Sequence, residues 1–342
     1  MKAVILTHLS QDYFPIYIEE LKTLLEIYFG RFEVDVIGKP LVKCFIYHSD
    51  PYQMYNILKR MVFRSTCIKR CLVIFDEANI DLTRFFDPPD FIFNGEFLTF
   101  ACHIHDYDGD LTREESKNII DKIYNLMALR YSFRLNLSNP DLIIGVYKKD
   151  GHYYIGLEIH DDKKGFEYRR PHKRPIFSPF SLDPKLSRLL INLSGVPDEG
   201  ILIDPFCGVA GIPSEAAYIG ISSLCIELKY RWAKGAYTNL KWLNSRKYWD
   251  VICGNSLDKF IKISENIFVA TDPPYGRITS ISSDVMKVYH EFIEKFVTEA
   301  KGSAFFSPFH LVDILRTYGL SIYNLFSIKV HKNLVRHLYV IR

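Results

Sequence analysis

Residues 201–211, with the sequence ILIDPFCGVAG, decide the fold of the C-terminal half of the chain. Three apolar residues form a short strand of buried type, Asp204 ends it, and a loop of small residues leads to a helix with Pro213 in its first turn. Gly208 and Gly211 permit a tight turn and a close approach of the backbone to a ligand. A plain small-residue turn has the same pattern, so this stretch alone does not prove a binding site.

The segments around this stretch alternate strands with helices. The predicted strands cover residues 201–203, 223–226, 251–253 and 267–271, and the predicted helices cover residues 213–219 and 231–240. Near-continuous apolar strands between helices predict a mostly parallel sheet with both faces covered, and hence a Rossmann-like α/β domain. In such sheets ligands bind at the carboxyl ends of the strands.

Polar residues follow two more of these strands. Glu227 lies 19 residues after Gly208, at the end of the next strand, where a carboxylate can accept hydrogen bonds from both hydroxyls of a ribose. Without its neighbours, Glu227 would be read as a surface glutamate. Asn255 and Ser256 follow the strand at 251–253 and are suited to hydrogen-bond an adenine edge.

Residues 269–277, VATDPPYGR, carry the most specific signal. Pro273 and Pro274 remove backbone donors and leave carbonyl groups free to accept, and Asp272 adds another acceptor. Two acceptors can hold both hydrogens of an exocyclic amine and turn its lone pair toward an electrophile. Tyr275 can stack on the base. The competing interpretation is a proline-rich turn followed by a core tyrosine.

These motifs carry a family resemblance. Asp-Pro-Phe-Cys-Gly from residue 204, followed by Asp-Pro-Pro-Tyr-Gly-Arg from residue 272, resembles the class I amino-methyltransferases. More narrowly, the chain resembles the archaeal tRNA guanine-N2 methyltransferases that carry an N-terminal THUMP domain. Residues 139–144 and 153–156 are similar to the end of a THUMP domain. Residues 174–179 and 186–193 are similar to the segment that leads into the catalytic domain.

The resemblance implies S-adenosylmethionine as cofactor and tRNA as partner, with one or two methyl groups added to guanine N2, at guanine 10. It implies catalytic roles for Asp272, Pro273, Pro274 and Tyr275. With tRNA as the partner, we expect Lys173 and Arg174 of the basic segment, and Arg277, to contact the substrate. The implied cofactor-binding residues are Asp204, Phe206, Cys207, Gly208, Glu227, Asn255, Ser256 and Asp272.

Two departures from the family pattern leave alternatives open. Val209 and Ala210 stand where the family has Thr or Ser followed by Gly, and Asn255 stands where Asp is common. A degenerate, non-catalytic RNA-binding protein is one alternative. Another is the same chemistry on adenine N6 of DNA or RNA, or on a ribosomal guanine, because these bases also present an exocyclic amine.

The N-terminal half predicts strands at 3–6, 34–37, 42–47, 71–75 and 98–104 and a helix at 17–29. Thr112 and Glu115 form a capping-box pattern before another helix, and Asp150-Gly151 indicates a hairpin. We predict a ferredoxin-like segment over 1–55, a THUMP-like RNA-binding domain over 56–162, a basic, proline-rich linker over 163–184 and the methyltransferase domain over 185–342. The linker is either a solvated connector or a basic track along RNA phosphates.

Composition excludes some classes of protein. The chain has 342 residues, 48% of them hydrophobic, and a net charge of +3, which is typical of a soluble globular protein. Its seven scattered cysteines include no C-x-x-C pair, so we expect reduced thiols, no disulfide and no structural zinc. We expect His103 and His105 to be surface strand residues and expect no metal. The sequence favours a cytoplasmic monomer without a membrane segment and leaves a small activator subunit open.

Overall fold

The computed structural model describes residues 2–79, 99–130, 132–161, 165–258, 266–276, 283–331 and 334–342. The chain divides into two compact units. The first comprises Met1–Tyr17, Tyr28–Phe63 and Cys67–Asp162. The second comprises Lys163–Arg342 together with two short segments, Ile18–Ile27 and Arg64–Thr66.

The first unit is built on one sheet. Its strands are β1 (Lys2–Leu9), β2 (Phe32–Gly38), β3 (Leu41–Tyr47), β4 (Ile68–Asn79), β5 (Thr99–Asp106), β6 (Arg134–Leu135), β7 (Leu142–Lys149) and β8 (His152–His160). The helices of this half of the chain are α1 (Phe14–Phe29), α2 (Pro51–Arg64) and α3 (Arg113–Asn125), which continues as a π-turn over Leu126–Arg130. The strand order is β2-β3-β1-β4-β8-β7-β5-β6, so one sheet takes strands from both 1–55 and 56–162. The division at residue 55 stays a prediction.

Two local predictions in this unit are confirmed. The Thr112 side chain accepts a hydrogen bond from the Glu115 backbone, and the Glu115 carboxylate accepts one from the Thr112 backbone, so α3 begins with a capping box. Asp150 and Gly151 both have positive φ, 52° and 72°, and join β7 to β8 as the Asp-Gly pair predicts. Helix α2 was not predicted.

The second unit is an α/β domain. Its strands are β9 (Ile201–Asp204), β10 (Ser222–Glu227), β11 (Trp249–Cys253), β12 (Ile267–Thr271), β13 (Gly302–Ser307), β14 (Ile322–His331) and β15 (Leu334–Ile341). Its helices are α4 (Pro184–Leu193), α5 (Gly211–Tyr218), α6 (Tyr230–Leu243), α7 (Ser283–Phe292), extended by a π-turn over Ile293–Val297, and α8 (Val312–Thr317). Short 3₁₀ turns cover Glu167–Arg169 and Pro171–Lys173.

The sheet of this unit has the order β11-β10-β9-β12-β13-β15-β14. Strands β9 to β13 pair in parallel, and β15 pairs antiparallel with β13 and β14. The predicted Rossmann-like domain is therefore confirmed, and β13 to β15 extend it beyond the predicted strands. A buried aromatic cluster that includes Phe292, Phe296 and Phe305 packs α7 and its π-turn against the sheet.

The expectation of reduced thiols throughout is wrong for two cysteines. Cys207 and Cys225 form a disulfide, with their Cα atoms 5.5 Å apart. The reason is the sheet order: Asp204 at the end of β9 pairs with Cys225 on β10, so the loop after β9 brings Cys207 against β10. Cys44, Cys71, Cys102 and Cys253 are free thiols.

The basic segment before α4 is not uniformly solvated. Arg169 is 1% exposed, and its Nε donates to the Glu215 carboxylate of α5 at 2.6 Å. Arg188 of α4 donates to the same carboxylate at 2.8 Å. The buried Glu215 carboxylate thus connects both this segment and α4 to α5. The two arginines are needed there because a buried charge is stabilised only when it is paired.

Candidate active site

A cavity of about 380 Å³ lies at the carboxyl ends of β9, β10, β11 and β12. Each of these strands ends in a loop that contributes residues to the lining. Residues 178–182, which precede α4, also line the cavity. The location follows from the parallel arrangement, which brings successive loops to one edge of the sheet. The lining residues are Ser178, Phe180, Ser181, Leu182, Asp204, Pro205, Phe206, Cys207, Gly208, Val209, Gly211, Ile212, Glu227, Leu228, Lys229, Gly254, Asn255, Ser256, Leu257, Asp272, Pro274 and Val288.

The small-residue loop after β9 is fixed to β10 by Glu227. One Glu227 carboxylate oxygen accepts the Gly208 N–H at 3.0 Å, and the other accepts the Lys229 N–H at 2.9 Å. Gly208 has φ +55°, and Ala210 has φ 62° and ψ 48°, both in the left-handed region. Ala210 therefore occupies the conformation for which glycine is favoured, at a cost of roughly 1–2 kcal/mol.

Asp204 is a buried acid at the end of β9. Its Oδ1 accepts hydrogen bonds from the Thr271 hydroxyl at 2.7 Å and from the Phe206 N–H at 3.2 Å. Burial, reinforced by the nearby carboxylates of Asp272 and Glu227, raises the pKa of Asp204 to about 7, although the two hydrogen bonds oppose the shift. A cation in the cavity would favour the ionised form of this carboxyl group.

The turn after β12 faces the same cavity. Asp272 and Pro274 contribute to the lining, whereas Pro273 and Tyr275 do not. The Tyr275 hydroxyl donates to Asp272 Oδ1, which orients the carboxylate and leaves its other oxygen available to accept. Burial raises the pKa of Asp272 above its usual value, and the guanidinium of Arg336 opposes this shift.

Arg336 is not among the predicted site residues. It lies on β15, its guanidinium carbon is 5.3 Å from the centre of the Tyr275 ring, and its charge acts on Asp272. Phe180 was also missed: it lines the cavity with its side chain 87% exposed. No local motif marks either residue, because both approach the site only through the fold.

The other predicted site residues differ in where the structure places them. All of the predicted cofactor-binding residues line the one cavity: Asp204, Phe206, Cys207, Gly208, Glu227, Asn255, Ser256 and Asp272. Lys173 is exposed, as a residue that contacts tRNA needs to be. Arg277 lies outside the described residues. The ligand roles of the individual residues stay predictions.

Arg174 does not have the predicted exposure. It is 5% exposed, and its Nε donates to the Arg169 carbonyl at 2.9 Å. This corrects the expectation that Arg174 contacts tRNA phosphates, since a buried guanidinium cannot reach them. Its Nη1 and Nη2 have no hydrogen-bond partner within the described residues, and Nη1 lies 3.5 Å from the position that a Cβ would take at Gly211.

Known proteins similar to this chain are methyltransferases. A family model described as RMKL-like, methyltransferase domain, matches residues 171–310. The tRNA (guanine(10)-N2)-dimethyltransferase of Methanothermobacter thermautotrophicus is 33% identical, over 71% of this chain and 73% of that protein. The protein of the same name from Pyrococcus abyssi is 31% identical, over 66% of this chain and 69% of that protein. That of Methanocaldococcus jannaschii is 27% identical, over 82% of both chains.

Proposed function

The chain belongs to the tRNA (guanine(10)-N2)-dimethyltransferase family, and we propose that it transfers methyl groups from S-adenosylmethionine to N2 of guanine 10 in tRNA. One observation carries the proposal: Asp272 and Pro274 line the same cavity as the Gly208 loop. An amine acceptor and a cofactor loop in one cavity are what transfer to an exocyclic nitrogen requires.

The residues around the cavity fit S-adenosylmethionine. A volume of about 380 Å³ falls within the range of roughly 300–1,000 Å³ for small-molecule sites. Both terminal nitrogens of the buried Arg174 guanidinium lack a hydrogen-bond partner among the described residues, and Nη1 lies beside Gly211 of the cavity lining, so this group is suited to the cofactor's carboxylate. Asp204 provides negative charge for a cationic ligand, and Glu227 and Asn255 provide groups for a ribose and an adenine.

When bound, the cofactor supplies an electrophilic methyl group on a sulfonium. The chain's task is to present the guanine amine to it. Asp272 accepts one amine hydrogen, and a backbone carbonyl of the Pro-Pro turn accepts the other, so the nitrogen lone pair is turned into the cavity. Tyr275 orients the Asp272 carboxylate through its hydroxyl, a different role from the stacking that the sequence suggested. The exposed Phe180 ring at the rim provides a surface on which a flipped-out guanine stacks.

The proposal also covers how the protein binds tRNA, where it acts and whether it acts as a monomer. The first unit serves as a THUMP-like module that positions the tRNA by its shape, and Lys173 contacts its phosphates. The enzyme acts as a cytoplasmic monomer. Throughout the described ranges, no helix combines the length and the apolar character needed to cross a bilayer.

The decisive experiment incubates the purified full chain with labelled S-adenosylmethionine and either an unmodified tRNA transcript, the same transcript with adenine at position 10, or DNA. We expect N2-methylguanosine and N2,N2-dimethylguanosine at position 10 of the first substrate only, mapped by nucleoside mass spectrometry. Label in DNA alone, or N6-methyladenosine in place of methylated guanosine, would overturn the guanine assignment.

Calorimetry with S-adenosylmethionine separates the remaining alternatives. Binding without transfer by the chain alone, followed by transfer on adding a small activator subunit, would contradict the monomeric enzyme. Failure to bind the cofactor would favour a non-catalytic RNA-binding protein, for which the departures at Val209, Ala210 and Asn255 are the motivation.

A further inference from the structure

The first unit carries a cluster of histidines around one glutamate that the proposed reaction does not use. His103 and His105 lie two residues apart on β5, so their side chains share one face of the sheet. Glu158 of β8 lies between them: His103 Nδ1 is 3.0 Å from Glu158 Oε1, and His105 Nε2 is 2.9 Å from Oε2. His160 Nδ1 is 3.6 Å from Oε1.

The middle strand leaves room for this cluster. Strand β7 lies between β5 and β8, and it has Gly145 directly beside His103. A Cβ at Gly145 would lie 3.1 Å from Glu158 Oε2 and 2.7 Å from the Leu72 side chain. A larger residue at this position would therefore crowd the Glu158 carboxylate that the two imidazoles contact.

We propose that His103, His105, Glu158 and His160 bind one Zn²⁺ ion. The candidate ligand atoms of His103, His105 and Glu158 all lie within 4.8 Å of one another. In a tetrahedral site with metal–ligand distances of about 2.0–2.2 Å, ligand atoms lie roughly 3.3 Å apart. The Glu158 contacts of His103 and His105 are close to this spacing, and any pair near the 4.8 Å limit must close by about 1.5 Å when the ion binds. The ion would connect β5 to β8 across β7.

The carboxylate of the cluster is buried and its imidazoles are partly exposed, an arrangement that a metal ion can enter from solvent. The Glu158 side chain is fully buried, whereas the side chains of His103, His105 and His160 are 39%, 21% and 25% exposed. An ion can therefore reach the imidazoles from solvent and meet a desolvated carboxylate behind them.

The ligand set selects the class of ion. Mg²⁺ and Ca²⁺ prefer oxygen ligands, whereas imidazole nitrogens with one carboxylate suit Zn²⁺. A cation lies beside the cluster, since Arg70 Nε is 3.8 Å from Glu158 Oε1. Its repulsion weakens binding relative to a site without such a neighbour, so we expect an exchangeable zinc ion that chelators remove.

The test measures Zn²⁺ binding to the full chain after chelation, by competition with a chromophoric chelator and without reference to methyl transfer. We expect one equivalent to bind, an affinity about 100-fold lower in His105→Gln, and no competition by excess Mg²⁺. His152→Gln is the matched control, because His152 lies on the same strand as Glu158 and outside the cluster. It should bind zinc as the unchanged chain does.

Two further measurements distinguish loss of zinc binding from loss of folding. Unfolding temperatures in chelator show whether each variant folds, and zinc should raise that temperature for the unchanged chain but not for His105→Gln. Co²⁺ in place of zinc should give visible absorption bands that His103→Gln alters. Absence of zinc binding by the unchanged chain, or undiminished binding by the folded double variant His103→Gln/His105→Gln, would overturn the proposal.

Discussion

Replacing Asp204 with Asn should stabilise the ligand-free protein in alkaline solution. The Asp204 carboxyl group is 2% exposed, and its pKa in the folded protein is about 7, against 3.8 as the ordinary value. The folded protein therefore holds this proton more tightly than the unfolded chain does. The contribution of Asp204 to the free energy of unfolding is fully present below about pH 4 and is lost as the pH rises through about 7.

The expected magnitude follows from the size of this shift. A difference of about three pKa units corresponds to a cost of about 4 kcal/mol at pH values well above 7, and to less than about 1 kcal/mol near pH 4. Asn resembles the protonated acid, and its Oδ1 can still accept from the Thr271 hydroxyl and the Phe206 N–H. The variant should therefore gain stability relative to the unchanged chain as the pH rises.

Urea unfolding of both proteins at about pH 5 and about pH 8 measures this difference directly. Asp313→Asn is a suitable control, because the Asp313 side chain is 98% exposed and its replacement should change the free energy of unfolding little at either pH. In calorimetry, Asp204→Asn should bind S-adenosylmethionine more weakly, since the carboxylate that favours a cation is gone. The electrostatic account of Asp204 would be refuted if the free energies of unfolding of Asp204→Asn and the unchanged chain differed equally at the two pH values. It would also be refuted if the variant were less stable than the unchanged chain at pH 8.

Four further substitutions test the proposed roles. Asp272→Ala should abolish methyl transfer and leave S-adenosylmethionine affinity nearly unchanged; retained transfer would contradict the assigned amine acceptor. Arg174→Met should weaken cofactor binding by about 1.5–3 kcal/mol, the contribution of a hydrogen bond to a charged group, whereas Lys173→Met should weaken only tRNA binding; calorimetry with each ligand distinguishes them. Arg336→Met removes the cation that lowers the pKa of Asp272, so the rise of kcat/KM with pH should move to higher pH. An unchanged pH profile in that variant would show that Arg336 does not act on Asp272.

Catalysis and stability conflict at the cofactor cavity. The buried acid at the end of β9 costs stability when it ionises, and Ala210 is held in a left-handed conformation that glycine would adopt more easily. Stabilising replacements at such positions commonly reduce activity. Asp204→Asn should show that behaviour, because the same substitution is expected to raise stability and to weaken cofactor binding.

The sequence by itself determined the α/β class of the second unit and the polar residues at the strand ends that line its cavity. Both follow from local information, since apolar periodicity defines a buried strand and the residue after the strand lies at the sheet edge. For that reason the sequence predicts four polar residues of the site, and all of them line one cavity: Asp204, Glu227, Asn255 and Asp272. The capping box at Thr112 and the Asp-Gly turn are local in the same sense.

Only the tertiary structure decided which distant residues meet. The Cys207–Cys225 disulfide depends on β9 and β10 being neighbours, and Arg336 reaches the Asp272 turn from β15. Arg174 looked like part of a solvated basic segment, yet it is buried beside Gly211. The His103 cluster needed Glu158, which joins it from another strand across a glycine. Charge and hydrogen-bond partnerships act over a few ångströms in space, whatever the separation along the chain, so sequence spacing does not reveal them.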